Sequence, residues 1–163
     1  MPSVITIVGY SNSGKTTLIE NLIPELKRRG YRIGTIKHTH HGFSMDPKGK
    51  DTYRHRAAGA DTVLAAAPGQ IALVKSVAEA DLDSLLPYFQ DMDIVLVEGF
   101  KQEKKPKIEV FRSKIHPIPL FLKDNLLLAI VTDSPYSANV PVFQFENIPA
   151  ICDLIEKHFN KRK

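Results

Sequence analysis

The stretch "VITIVGYSNSGKTTLIENL", residues 4–22, constrains this chain more than any other feature. Val4 to Val8 is a continuous branched run, the pattern of a strand buried on both faces. From Thr16 to Arg29 the apolar residues Leu18, Ile19, Leu22, Ile23 and Leu26 recur at helical spacing. Between strand and helix lie Gly9, Tyr10, Ser11, Asn12, Ser13, Gly14, Lys15 and Thr16, which fit G-x-x-x-x-G-K-[ST] in full. Glycines at the two fixed positions let the backbone curl and turn its N–H groups inward. With the positive end of the following helix, those groups make a seat for phosphate oxygens. Lys15 then supplies a point charge to the β and γ phosphates, and the Thr16 hydroxyl a ligand for Mg²⁺. Three occupants suit such a seat: ATP awaiting transfer, GTP as a switch, or a nucleotide that holds two molecules together.

The remainder of the chain reads as strands alternating with helices. Tyr31–Lys37, Ile94–Val97, Lys107–Phe111, Leu126–Val131 and Val142–Phe145 read as strands, and Ile148–Phe159 as a terminal helix with "NKRK" a solvated tail. Thr62–Ala67 and Ile71–Ser76 flank the turn "PGQ", Asp51–Ala58 forms a short helix, and Asp81 or Asp83 caps a helix running to Phe89. Pro24 removes a hydrogen bond from the first helix and predicts a kink, and Gly30 ends that helix. The alternation predicts an α/β P-loop NTPase fold, a mostly parallel sheet with helices on both faces, as a single domain over residues 1–163. Ligands of such sheets bind beyond the carboxyl ends of the strands. The polar clusters after Val8, Lys37, Val97 and Val131 all follow strand ends.

Two further acids are placed by this logic. Glu98 directly follows Ile94–Val97, where a carboxylate can hold Mg²⁺ through water or orient an attacking water. Asp93, at the entering end of the same strand, reads as an ordinary strand-end charge. Asp133 in "VTDS" follows the last well-defined buried strand, where a base reader would sit. A carboxylate there can accept two hydrogen bonds from guanine N1 and N2 and repels the acceptor edge of adenine. It can equally be a turn acid before Pro135. Asn-Lys-x-Asp, the usual guanine reader, is absent.

The segment "HTHHGFSMDPKGK", residues 38–50, is too long and too polar for a plain connection, and long loops are often functional. Lys37 precedes it beside the phosphate seat. His38, His40 and His41 invite a metal reading, but a structural zinc site needs four spaced ligands and Cys152 is distant. An anion-binding surface built from Lys48, Lys50, Arg54 and Arg56 fits better, the alternative being a solvated loop. Asp46 is a candidate Mg²⁺ ligand in the manner of a switch loop.

Composition narrows the partners. A net charge of +4 and pI near 9.1 favour anions, yet no aromatic-interleaved basic motif points to nucleic acid. No apolar stretch approaches a membrane span, and the N-terminus lacks a signal-peptide pattern, so the expectation is a cytoplasmic protein. Cys152 falls among Ile151, Leu154 and Ile155 and reads as buried filler.

"GYSNSGKTTLIENL", "IGTIKHTHH" followed by Asp46 and "GKDTYRHRAAGA", and "VLVEGFK" together resemble the MobB family, small P-loop GTPases of molybdenum-cofactor biosynthesis. The resemblance spans most of the chain. It implies an accessory, usually dimeric protein that binds GTP and hydrolyses it slowly. Such a protein associates with the guanylyltransferase that joins GMP to molybdopterin. It also implies that Gly9 to Thr17 bind the nucleotide and that Thr16 and Glu98 lie at the metal. The competing reading is a small-molecule kinase using ATP with the basic loop as its lid. A third is a binding module in which the nucleotide is structural.

Overall fold

A computed structural model describes residues 1–39, 42–44 and 46–160. The chain forms two compact units, Met1–His38 with Leu82–Lys163, and Thr39–Asp81. The first unit holds a sheet of six parallel strands in the order β2-β5-β1-β6-β7-β8. These are β1 (Ser3–Val8), β2 (Ile33–Lys37), β5 (Ile94–Glu98), β6 (Lys107–Phe111), β7 (Leu127–Thr132) and β8 (Val142–Phe143). β1 lies at the centre, pairing Ser3 with Ile94 of β5 on one side and Thr6 with Lys107 of β6 on the other. Burial on both faces explains the unbroken branched runs of β1 and β5.

Strand alternation sorts the core into layers. Ile5 and Ile7, with Leu96, Val110 and Val131, pack under α1 (Lys15–Arg28) and α4 (Ile148–Asn160). Leu18, Leu22 and Leu26 are the fully buried stripe of α1. Each such side chain contributes about 1.5–3 kcal/mol as an upper estimate. Val4, Val95, Val97 and Ile36 face the other way, onto Leu82 and Leu86. Farther along the sheet, Phe111, Leu127 and Ile130 form a third cluster with Phe121, Tyr136 and Val140 packed against it.

α1 ends as its sequence predicts. Gly30 N–H donates to Lys27 and Tyr31 N–H to Leu26, a pair of bonds that closes the last carbonyls. The helix runs unbroken through Pro24. Pro24 lies on its exposed side, where water can take the carbonyl that a prolyl nitrogen leaves unbonded. Arg29, at the end of α1, donates to Glu25, Asp153, Glu156 and the Pro149 carbonyl, joining α1 to α4. The helix expected up to Phe89 is instead one α-turn, α3 (Leu82–Leu85), followed by a 3₁₀ turn, Leu86–Phe89. Pro87 in the first positions of that turn accounts for the change. Cys152 is fully buried, and burial pushes its thiol up to about 12, so it is inert filler.

The second unit contains α2 (Asp51–Ala57) and the antiparallel hairpin β3 (Thr62–Ala67) and β4 (Gln70–Lys75), joined through Pro68-Gly69. Among its described residues Val63 is the only buried large apolar one, whereas Leu64 is 54% and Ile71 72% exposed. Residues 161–163 lie outside the described residues. Among the described residues no helix is long and apolar enough to cross a membrane.

Candidate functional site

The loop from Gly9 to Gly14 joins the carboxyl end of β1 to the first turn of α1. Gly9 has φ +137°, and a Cβ there would lie 2.3 Å from the Val110 carbonyl oxygen, so the loop leaves β1 in direct contact with β6. Gly14 caps α1 in a left-handed conformation, φ 102°, with its carbonyl accepting from Leu18 N–H. No acidic side chain occupies the first turn of α1, so its positive end faces the loop uncompensated by a carboxylate of its own.

Around that end lies an open cavity of about 450 Å³ lined by Ser11, Asn12, Gly14, Lys15, Thr16, Thr17, Lys37 and Glu98. Lys15 curls back and donates to the Tyr10 carbonyl at 2.7 Å. Partial burial lowers its pKa, Glu98 opposes that shift, and the charges of Lys101 and Lys37 add to it. The Thr16 hydroxyl donates to Glu98 Oε2 at 3.0 Å across 82 positions of sequence. Lys37 Nζ stands 3.5 Å from the other Glu98 oxygen. The register that pairs Ile7 and Lys37 each with Glu98 holds this group together at the strand ends. The arrangement offers the N-terminal end of α1, two lysines and one shared hydroxyl–carboxylate pair. That donor set suits a polyphosphate and a hard, oxygen-seeking cation.

Of the other residues expected at the site, Asp133 follows β7. It accepts from Arg112 Nη1 at 2.6 Å and from the Ser134 hydroxyl at 3.1 Å. Asp46 belongs to the second unit, where it is buried and accepts from the Thr52 hydroxyl at 2.9 Å. His40 and His41 lie outside the described residues. The His38 ring packs tilted against Phe100, with ring centroids 4.3 Å apart. Among the described residues no group of three His, Cys, Asp or Glu gathers to hold a metal.

Two loop contacts escape the sequence reading. Arg112 Nε donates to the Ser13 carbonyl at 2.9 Å, and its guanidinium lies 4.7 Å over the Phe145 ring. His116 stacks on Tyr10, with ring centroids 4.1 Å apart. Arg112 directly follows β6, so the strand-end rule applied to Val8, Lys37, Val97 and Val131 points to it as well. The loop bearing His116 is tied down from below. Glu109, fully buried, accepts backbone N–H bonds from Leu120 and Phe121 at 2.6 and 3.0 Å, while burial pushes its carboxyl above the usual range.

The strand order, the glycine loop closing onto a helix N-terminus and the carboxylate on the neighbouring strand define a nucleotide-binding P-loop α/β fold. Residues 4–133 match MobB, described as molybdopterin guanine dinucleotide synthesis protein B, and the chain belongs to that family. It is 40% identical to the molybdopterin-guanine dinucleotide biosynthesis adapter protein of Haemophilus influenzae, covering 96% of this chain and 91% of that one. The Escherichia coli adapter protein is 34% identical, with 99% and 96% covered. The crystal structure of Bacillus subtilis MobB superposes with a TM-score of 0.77 at 29% identity, covering 95% of this chain and 96% of that chain.

Proposed function

We propose that the chain is a GTP-binding accessory protein of molybdenum-cofactor biosynthesis, acting in the attachment of GMP to molybdopterin. Its family and the adapter proteins it resembles support the accessory role. The contact between Thr16 and Glu98 carries the nucleotide part of the reading. It brings a hydroxyl and a carboxylate from distant segments to the mouth of the loop, where Thr16 and Glu98 would hold Mg²⁺, and the ion would supply positive charge to the phosphates. Mg²⁺ keeps several waters and takes one or two protein oxygens plus phosphate oxygens, which this pair can supply. Gly9 to Thr17 hold the phosphates, Lys15 and Lys37 neutralise them, and Glu98 orients the water for slow hydrolysis. Asp46 is proposed as a further ligand brought by the basic loop.

Asp133 is the proposed base reader. A carboxylate has about four lone-pair sites, so Arg112 and Ser134 leave two for guanine N1 and N2. Wild-type protein is expected to bind GTP more tightly than ATP in a calorimetric titration. Asp133→Ala is expected to weaken GTP by about 1–3 kcal/mol and ATP by a smaller amount. Equal affinities for the two nucleotides in the wild type would exclude the guanine reading. Transfer of phosphate to an acceptor from ATP would replace it with the kinase reading.

Glu98→Gln keeps the size of the side chain and an acceptor for Thr16 but removes the charge. Hydrolysis, measured as phosphate release against Mg²⁺ concentration, is expected to fall about 10–100-fold. An unchanged rate and Mg²⁺ dependence would leave Glu98 a structural partner of Thr16 and Lys37 only.

A cytoplasmic homodimer that docks on the guanylyltransferase completes the proposal. The exposed Leu64, Ile71 and Leu73 of β3 and β4 support self-association through an apolar surface. Lys48, Lys50, Arg54 and Arg56 suit a second anion such as the molybdopterin phosphate. Arg54 lies 3.8 Å from Asp51 and Arg56 5.7 Å over Tyr53, contacts that an anion must share or displace.

A further inference from the structure

Arg112 stands at the carboxyl end of β6 and touches three other parts of the unit at once. Its Nε bonds the Ser13 carbonyl at 2.9 Å, its Nη1 bonds Asp133 after β7 at 2.6 Å, and its plane covers Phe145 after β8. A Cβ placed on Gly14 would come within 3.4 Å of Arg112 Nη2 and 3.2 Å of the Phe145 ring, so the loop rests directly on this group. We propose that Arg112 is a positioning residue that aims the phosphate-binding loop. The claim rests on the nucleotide reading above.

The argument follows from peptide geometry. The Ser13 carbonyl and the Gly14 N–H belong to one planar trans peptide and point in opposite directions. Arg112 holds the carbonyl outward, toward the ends of β6 and β7. The Gly14 N–H therefore points the other way, to the side of the cavity that Gly14 lines. A charged donor on the carbonyl also polarises the peptide, so the opposite N–H becomes a better partner for phosphate. Asp133 and Phe145 fix the guanidinium in turn. A forked, planar cation can serve both acceptors and the ring together, whereas an ammonium is a single point charge. Ser13 itself is 1% exposed, leaving the peptide little room to rotate once the carbonyl is held. The carboxylate proposed to read the base is thus mechanically joined to the loop proposed to hold the phosphates.

The test uses inorganic tripolyphosphate with Mg²⁺, which has phosphates and no base, beside GTP. In the free protein, Arg112→Ala is expected to raise amide hydrogen exchange at residues 12–16 about tenfold while β1 and β5 keep their protection. The same variant is expected to bind tripolyphosphate and GTP each about tenfold more weakly. Arg112→Lys is expected to restore neither exchange nor binding, and Asp133→Asn to weaken tripolyphosphate by a smaller factor. Unchanged exchange, unchanged tripolyphosphate binding, or full rescue by lysine each overturns the positioning role while wild-type binding stands. Wild-type protein that binds neither ligand overturns the nucleotide reading and the positioning role with it, a result seen before any variant is made.

Discussion

Lys15→Ala is expected to weaken Mg²⁺-GTP binding by about 1.5–3 kcal/mol, roughly ten- to a hundredfold, without lowering the melting temperature. In the free chain the Lys15 ammonium donates to the Tyr10 carbonyl, one bond for a charge that is partly buried. Burial and the positive charges of Lys101 and Lys37 all disfavour that ammonium, and Glu98 alone favours it among the groups acting on its pKa. Its removal relieves an unfavourable concentration of charge. A triphosphate reverses the balance, because Lys15 and Lys37 then face several negative oxygens in a partly desolvated cavity. Affinity and stability are thus expected to move independently. Calorimetric titration and thermal unfolding of the same preparation check both, and unchanged affinity for the triphosphate would remove Lys15 from the site.

Gly9→Ala is expected to be the most damaging single change in the loop. A methyl group there meets the Val110 carbonyl oxygen at 2.3 Å, closer than real Cβ contacts come, and the φ of +137° is one that side chains rarely adopt. Because Val110 belongs to a central strand, neither partner can withdraw without disturbing the sheet. The expected cost is about 3 kcal/mol or more, which for a domain of this size lowers the melting temperature by roughly 6–12 °C. Gly30→Ala is the control. Its φ is also positive, at +93°, but nothing lies within 4 Å of the added carbon. About 1–2 kcal/mol is expected from the left-handed conformation alone. Equal melting temperatures for the two variants would show that the loop moves away from β6 at no cost.

Much of this architecture can be read from local patterns. β1, the glycine loop and α1 obey short-range rules, so motif and structure coincide within a residue or two. Glu98 was legible because it terminates an uninterrupted apolar strand, and its bond to Thr16 follows once β1 and β5 are neighbours. Arg112 was not, although it follows a strand in the same way. Its strand, "KIEVF", includes the buried charges of Lys107 and Glu109, which disguise a central strand as a half-exposed one. Each charge is satisfied by a contact that periodicity does not encode: Lys107 by Asp124, Glu109 by two backbone amides of the following loop. The shortened α3 has a simpler origin, since Pro87 redirected a segment whose apolar spacing suited a longer helix. Asp133 was placed correctly at a strand end, but its pairing with Arg112 depends on β6 and β7 being adjacent, a fact of topology.

The central place of β1 also sets a timetable for synthesis. Ser3 waits for Ile94 and Thr6 for Lys107, so both edges of the middle strand find partners only after roughly a hundred further residues have been made. At ribosomal speeds of about 5–20 residues per second, that delay lasts on the order of 5–20 s. During it the segment "VITIV" is an apolar strand with no neighbours, the kind of sequence that pairs with whatever chain is nearby. The glycine loop has no rear wall until Val110 arrives, since β6 supplies it. The earliest motif in the sequence is therefore among the last to become competent. A nascent chain stalled before residue 107 would be expected to need chaperone cover.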